Sequence, residues 1–216
     1  MKLIDELHEE HTLIDRVLGS FRSWVELRMK GEGEASEGPL FFEFFRKVAG
    51  DFHHAREEDS LFAALHTVAE LPLDRGPMFA LKEDHHRLAA VLDLLEPLLR
   101  AGSTDPALRA HATTYSRGLW THIDAENSVL FSESEMRLAR HHVKELPSRP
   151  MTELEAAARV QGERLATQYP NFDDRGVMRG EGCIICSSYG VNCRGLEREW
   201  WNDWEWEEHP NRSTSG

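Results

Sequence analysis

The sequence predicts an all-α protein: an up-down-up-down antiparallel four-helix bundle, then a short helix, then an irregular tail rich in cysteine and tryptophan. Three observations carry that expectation. Apolar residues recur at spacings of three and four through four long stretches of residues 1–146, which marks one buried stripe per helix. Short clusters of glycine and proline separate the stretches. Short connections between long helices favour antiparallel neighbours.

The first helix is expected over about residues 3–30, with Ile4, Leu7, Ile14, Leu18, Phe21 and Val25 on its stripe. Gly31, Gly33 and Gly38 break it. The second starts near Pro39, a favourable first-turn residue, and runs to about residue 66. Leu71, Pro72, Gly76 and Pro77 form the next break. The third covers about residues 77–101, with Met78, Leu81, Leu88, Leu92, Leu95 and Leu99 inward. Pro97, late in that helix, is expected to kink or shorten it. Asp105–Pro106 supplies a cap and first turn for the fourth helix, which is expected to reach about residue 144. Pro147 and Pro150 mark a boundary, so the organisation reads as a bundle over 1–146, a short linker helix over 147–168 and a Cys/Trp-rich tail over 169–216.

Composition narrows the function classes. Hydrophobic residues make up 40% and charged residues 29% of the 216 residues, enough for a core with a well-solvated surface. No apolar run approaches the roughly 20 residues that span a bilayer, and the opening MKLIDELHEEH lacks the apolar segment of a signal peptide. No membrane association and a cytoplasmic location are the expectations. The formal net charge of −13 with no basic face argues against direct nucleic-acid binding. There is no Gly-rich phosphate cradle, and nothing resembles serine- or cysteine-protease chemistry.

Twelve histidines need an account. Two of them, His11 and His85, interrupt apolar stripes at positions where the period demands an apolar residue. Given 38 acids in 216 residues, about two of the histidines would have an acid four residues on by chance; six do, namely His11, His53, His54, His66, His122 and His141. Most such pairs belong on solvated faces, and His66 and His141 read that way. Two pairs differ because their surroundings repeat. His53, Glu57, Leu61 and Phe62 in the second helix match His122, Glu126, Leu130 and Phe131 in the fourth at every position. Around His122 the flanking Leu119, Ile123 and Leu130 are apolar and place that pair on the core side. By correspondence His53 and Glu57 face inward, while His54 and Glu58 are expected to turn towards water or a neighbouring helix.

Four inward imidazoles and two inward carboxylates in one core form a metal-ligand set. An unpaired buried carboxylate is costly, and two at one level of a bundle repel. A pair of cations removes both penalties and uses all six groups. Inward carboxylate and imidazole sets in bundles hold paired iron or manganese, and mixed ligation of this kind suits iron. The alternative is a buried ionic network without metal.

These features, EEH ending at His11, His-x-x-x-Glu followed by LF in the second helix, EDHH containing His85, and His-x-x-x-Glu followed by LF in the fourth, together resemble the hemerythrin-like (HHE cation-binding) family over residues 1–146. The resemblance implies two iron ions bridged by Glu57 and Glu126, with His11, His53, His85 and His122 as terminal ligands. Oxygen-carrying hemerythrins take a fifth histidine from an H-x-x-x-H pair in the third helix; here Leu81 and Ala89 flank His85 at those positions. They also use an aspartate where this chain has Glu126. The four-His, two-Glu set looks more like bacterial di-iron proteins linked to nitric-oxide and oxidative-stress repair, without their N-terminal cysteine-bearing domain. The proline that often follows LF in the family is Ala63 and Ser132 here. Tyr115, two turns before His122 on the same face, is a possible pocket residue, an iron ligand as in some relatives, or a core tyrosine.

All three cysteines lie within residues 183–193. Cys183, Cys186 and Cys193, with His209 or a carboxylate such as Asp203 as a fourth ligand, form a possible zinc site; a redox dithiol, an incomplete cluster site and free thiols are the alternatives. Trp200, Trp201, Trp204 and Trp206 are expected to pack on the bundle, on a second copy in a homodimer, or on a protein partner. The function expected is that of a di-iron protein meeting a small ligand: oxygen, nitric oxide or peroxide. The alternatives are an iron- or oxygen-dependent sensor acting through the tail on a protein partner, and iron storage or a purely structural bundle.

Overall fold

The computed structural model describes residues 1–172, and they form five helices with no strand among the described residues. Helix α1 spans Lys2–Met29. After a short 3₁₀ turn at Ala35–Glu37, α2 covers residues 38–67, α3 is Gly76–Arg100, α4 covers residues 106–140 and α5 is Glu153–Gln168. The start of α1 packs with the end of α2, the start of α3 and the end of α4, through Leu3, Leu65, Met78 and Leu138. At the other end Trp24, Phe41, Leu99 and Leu108 share one cluster. Those pairings make the first four helices run up, down, up and down.

Local chemistry sets the ends. Asp105 accepts from the Ala107 N–H at 2.7 Å ahead of Pro106 and so starts α4. Gly102, at φ +56°, closes α3: the Gly102 N–H donates to Leu99 O and the Ser103 N–H to Leu98 O. The helix passes through Pro97 unbroken and stops three residues later, because a proline in the last turn costs few carbonyl partners. Helix α4 ends at Arg140 rather than near 144. His142 takes φ +60°, and the Val143 N–H turns back to Leu138 O at 3.0 Å. Val143 then packs on the end cluster, the apolar contact that accompanies such a stop.

The bundle has two apolar cores rather than one. The larger runs from Leu13 to Val25 on α1 and meets Phe41 to Ala49, Leu88 to Leu99 and Leu108 to Ile123. The smaller gathers Leu3, Leu7, Leu61, Phe62, Leu81, Leu130 and Phe131. Between them lies a buried polar layer. Helix α5 covers α1 and α2 on the side of the larger core, inserting Ala158 and Leu165. Gly162 permits that approach, since a Cβ there would come within 2.1 Å of Phe44 Cδ2.

The helices that cross the polar layer are not uniform. In α2, residues Phe45–His54 and Glu57–Phe62 form π-helical turns, and in α4 residues Glu126–Leu130 do the same. A wider π turn rotates the residues beyond it relative to those before it. The two apolar ends of α2 serve different cores, Phe41 to Ala49 the larger and Leu61 to Leu65 the smaller, on either side of the polar layer. No helix among the described residues is long and apolar enough to cross a membrane.

Candidate metal centre

The polar layer is assembled from all four bundle helices. His11 comes from α1, His53, His54 and Glu57 from the π-helical part of α2, His85 from α3, and His122 and Glu126 from α4; all seven are buried. Glu57 and Glu126 each open a π turn that runs on to the Leu–Phe pair of its cassette or to its leucine. Ligand atoms of His54, Glu57, His85 and His122 lie within 4.8 Å of one another, and so do those of His11, His53, Glu57 and Glu126. Glu57 belongs to both groups. Glu126 joins them as well: its Oε2 is 3.3 Å from His11 Nε2 and 3.2 Å from His122 Nε2.

The structure thus brings together the six residues singled out by sequence and adds His54. Of the two expectations for His54, water or a neighbouring helix, the structure shows the second: its side chain is 9% exposed, and its ring stacks on that of His85 at 3.9 Å, which adds it to the layer. Consecutive residues 53 and 54 are both covered because three other helices surround this part of α2, as they cover His122 and Ile123 in α4. Ile123, the counterpart of His54 in the α4 cassette, is also buried, and its apolar character was the signal for an inward position. Glu58 is half-buried and acts on His85 from outside, accepting at 2.8 Å from its Nδ1. His66 and His141 are exposed. Tyr115 is buried in the larger core with its ring edge-on to Phe45 at 5.1 Å. Burial pushes its hydroxyl pKa far up. The cysteines, the tryptophan cluster and His209 lie outside the described residues.

Outer hydrogen bonds orient the imidazoles. His53 Nδ1 bonds Glu10 Oε2 at 2.9 Å, and His11 Nδ1 bonds Asn127 Oδ1 at 2.8 Å. A carboxylate accepts, so Nδ1 of His53 and of His85 carries a hydrogen, and in the neutral form each Nε2 would turn a lone pair inward. Yet His53 Nε2 is 2.9 Å from His11 Nε2, and His85 Nε2 is 3.1 Å from His122 Nε2. Lone pairs facing each other at such distances need a proton or a cation between them.

The carboxylates make the same demand. Both oxygens of Glu57, both of Glu126 and Nε2 of His54 are buried without a hydrogen-bond partner among the described residues. Five orphaned polar atoms converging on one volume are what a divalent or trivalent cation would satisfy. Without one, charge redistributes. Burial and the neighbouring Glu57 hold the Glu126 carboxyl protonated well above the usual range. Burial opposes ionisation of Glu57, but His53 and His85 outweigh it and keep its pKa low. Burial likewise works against a charged His53, and Glu57 with Glu10 overcomes it, raising the pKa to about 9. His11, His54 and His122 are held neutral, chiefly by burial and then by neighbouring imidazoles. Neutral imidazoles beside carboxylates form a donor set suited to iron, manganese or zinc.

Phenylalanines wall the layer on the side of the smaller core. Phe131 stacks on His11 at 5.3 Å and Phe62 lies parallel to His85 at 6.1 Å.

An all-α bundle with a buried histidine–glutamate layer of this composition defines a class, that of helical-bundle metal-binding proteins. The comparison with protein families gives the same answer: the family described as hemerythrin HHE cation binding domain matches residues 2–133. The chain belongs to that family. No curated protein and no solved structure matches it.

Proposed function

We propose that the layer holds two iron ions and that the protein binds or reacts with a small molecule there: oxygen, nitric oxide or peroxide, in oxidative or nitrosative stress or in iron handling. The observation that carries this reading is the pair of orphaned carboxylates, Glu57 and Glu126, each in reach of imidazoles on both sides. On this reading His11 and His53 would hold one ion and His54, His85 and His122 the other, with Glu57 and Glu126 within reach of both. Iron bound there supplies reversible one-electron chemistry and affinity for small diatomic ligands.

The chain's own part is to hold and orient. The Nδ1 bonds to Glu10, Asn127 and Glu58 fix three rings with Nε2 inward. Phe62, Phe131 and the two apolar cores exclude bulk water, which strengthens every charge interaction inside. The side with two imidazoles offers one ligand fewer than the side with three, so the small molecule is assigned to the His11/His53 side.

A second reading keeps the metal pair and makes region 173–216 the output of a sensor. Its support is the attachment of the chain just before that region to α1, the helix that carries His11. The Ser20 hydroxyl donates to Tyr169 O at 3.1 Å and the Phe172 N–H to Gly19 O at 3.2 Å.

Metal analysis and optical spectra of iron-replete protein, taken with oxygen, nitric oxide and peroxide, test the first reading. Two irons per chain, lost in Glu57→Ala and Glu126→Ala, are expected; iron-free protein from iron-replete cells would sink it. Deleting 173–216 separates the readings, since a sensor keeps its iron and loses its protein partner.

A further inference from the structure

The outer partners of the imidazoles are unequal. The partner of His11 is a neutral amide, Asn127. That of His85 is Glu58, half-buried and shared with Lys82 Nζ at 3.2 Å. His122 Nδ1 has no hydrogen-bond partner among the described residues, with Asp84 Oδ2 at 3.8 Å. Among these outer partners only that of His53 is a buried carboxylate: Glu10, which is 5% exposed.

A second buried residue holds that charge in place. Arg56, 3% exposed, bonds the other oxygen of Glu10 through Nη1 and a carboxylate oxygen of Glu6 through Nη2. Its guanidinium lies 4.7 Å from the centre of the Phe52 ring. The guanidinium of Arg149 lies 5.0 Å from the centre of the same ring. Arg149 is tied down by Glu155 at 2.7 and 2.8 Å and by Asp51 O at 2.6 Å. Phe52 is therefore gripped by two cations, each fixed by its own carboxylate. A cleft of about 390 Å³ borders Glu10 and Arg56, so this array separates the metal layer from solvent on the α1/α2 side.

We propose that Glu10, clamped by Arg56, is a positioning residue for the metal on the His11/His53 side. The proposal rests on the metal-pair reading above. A carboxylate partner fixes the ring, keeps the hydrogen on Nδ1 and increases the basicity of Nε2. Arg56 keeps Glu10 aligned; without it the carboxylate is free to turn to the cleft. The consequence is selective. Glu10 acts on one metal, raises its affinity and favours its higher oxidation state, while the His54/His85/His122 side depends on Glu58.

Cobalt(II) titration followed by proton NMR tests this, because imidazole Nδ1–H signals of ligands to a paramagnetic ion are shifted and individually visible. Full-length wild type, Glu10→Gln, Arg56→Met, Arg56→Lys and Glu58→Gln are compared, with circular dichroism to check the fold. Glu10→Gln and Arg56→Met are expected to weaken one cobalt by about 10–100-fold and leave the other unchanged. They should also move one set of exchangeable signals and accelerate its exchange with solvent. Arg56→Lys should restore part of the loss, and Glu58→Gln should affect the other cobalt. Retention of both ions at wild-type affinity with unmoved signals would overturn the inference. Equal weakening of both ions would overturn it too, as the mark of a general packing role. If wild type takes up no pair of ions, the metal-pair reading fails and the inference falls with it, a failure visible before any variant is made.

Discussion

Phe62 lies parallel to His85, ring centres 6.1 Å apart and planes within 6°. The two residues belong to different helices, and the contact explains the apolar pair that ends the His-x-x-x-Glu cassette. Each cassette phenylalanine covers a histidine from another helix, Phe62 covering His85 and Phe131 covering His11. The side chains seal the polar layer against the smaller core. Phe62→Ala removes a fully buried ring and is expected to destabilise the protein by about 3–5 kcal/mol, read from urea unfolding. Phe62→Leu should recover most of that, yet still loosen His85. A loss below about 1 kcal/mol for the alanine variant would mean that the layer does not depend on this cover.

His54 gives a test in which two effects have opposite signs. In metal-free protein its buried Nε2 lacks a partner, and an unsatisfied buried group costs about 1–3 kcal/mol. His54→Leu removes that group at similar volume, so the metal-free protein should unfold at equal or higher urea. The same change deletes an inward imidazole. Metal affinity on the His85/His122 side should fall by more than the roughly 10–100-fold that an outer partner costs. Unchanged affinity for both ions would return His54 to a purely structural role.

The bundle was legible in the sequence because its evidence is local: stripe period, glycine and proline breaks, and two copies of one cassette. His11 and His85 were legible as interruptions of an apolar stripe. His54 was not read as inward, although its counterpart Ile123 is apolar and buried. How wide an arc of a helix is covered is set by its neighbours, and α2, with its π turns, is covered on both the His53 and the His54 side by packing against other helices. Glu10 and Arg56 escaped notice for a different reason. Each is one acid or base among many on a charged helix, and the bond from Glu10 to His53 joins residues 43 apart.

Metal loading should release protons. Without a cation, Glu126 keeps its proton because of burial and Glu57, and His53 is charged up to about pH 9 despite burial because Glu57 and Glu10 face it. Despite burial, His85 is raised as well, by Glu57 and Glu58, and all three raised groups must lose their protons to act as ligands. Affinity therefore rises with pH through neutrality, and a more acidic medium strips the metal. Calorimetric titration with iron(II) or cobalt(II) in buffers of different ionisation enthalpy reads the proton count directly. About one proton or more per chain is expected at pH 7, and zero would contradict the charge assignment. Glu126→Gln should reduce the count.

Helix α5 depends on one carboxylate at its start. Glu155 accepts from Arg149 at 2.7 and 2.8 Å and closes a capping box with Thr152, whose N–H donates to it at 2.7 Å. Chiefly through Arg149, and against the effect of burial, its pKa is pushed down to about 2 from the usual 4.5. A depressed folded pKa contributes stability that is present above the unfolded value and is lost as pH falls through the folded one. The window is therefore about pH 4.5 down to about 2. Arg149 is 40% exposed, so solvent screening limits the contribution to about 1 kcal/mol. Glu155→Gln should lose that amount at pH 7 and show a flatter decline in unfolding free energy through the acid window. Because α5 places Leu165 in the larger core, amide exchange in α5 should accelerate in the variant well before exchange in α1 or α3. Parallel acid profiles for wild type and Glu155→Gln would show that Arg149 and the cap contribute nothing beyond what water supplies.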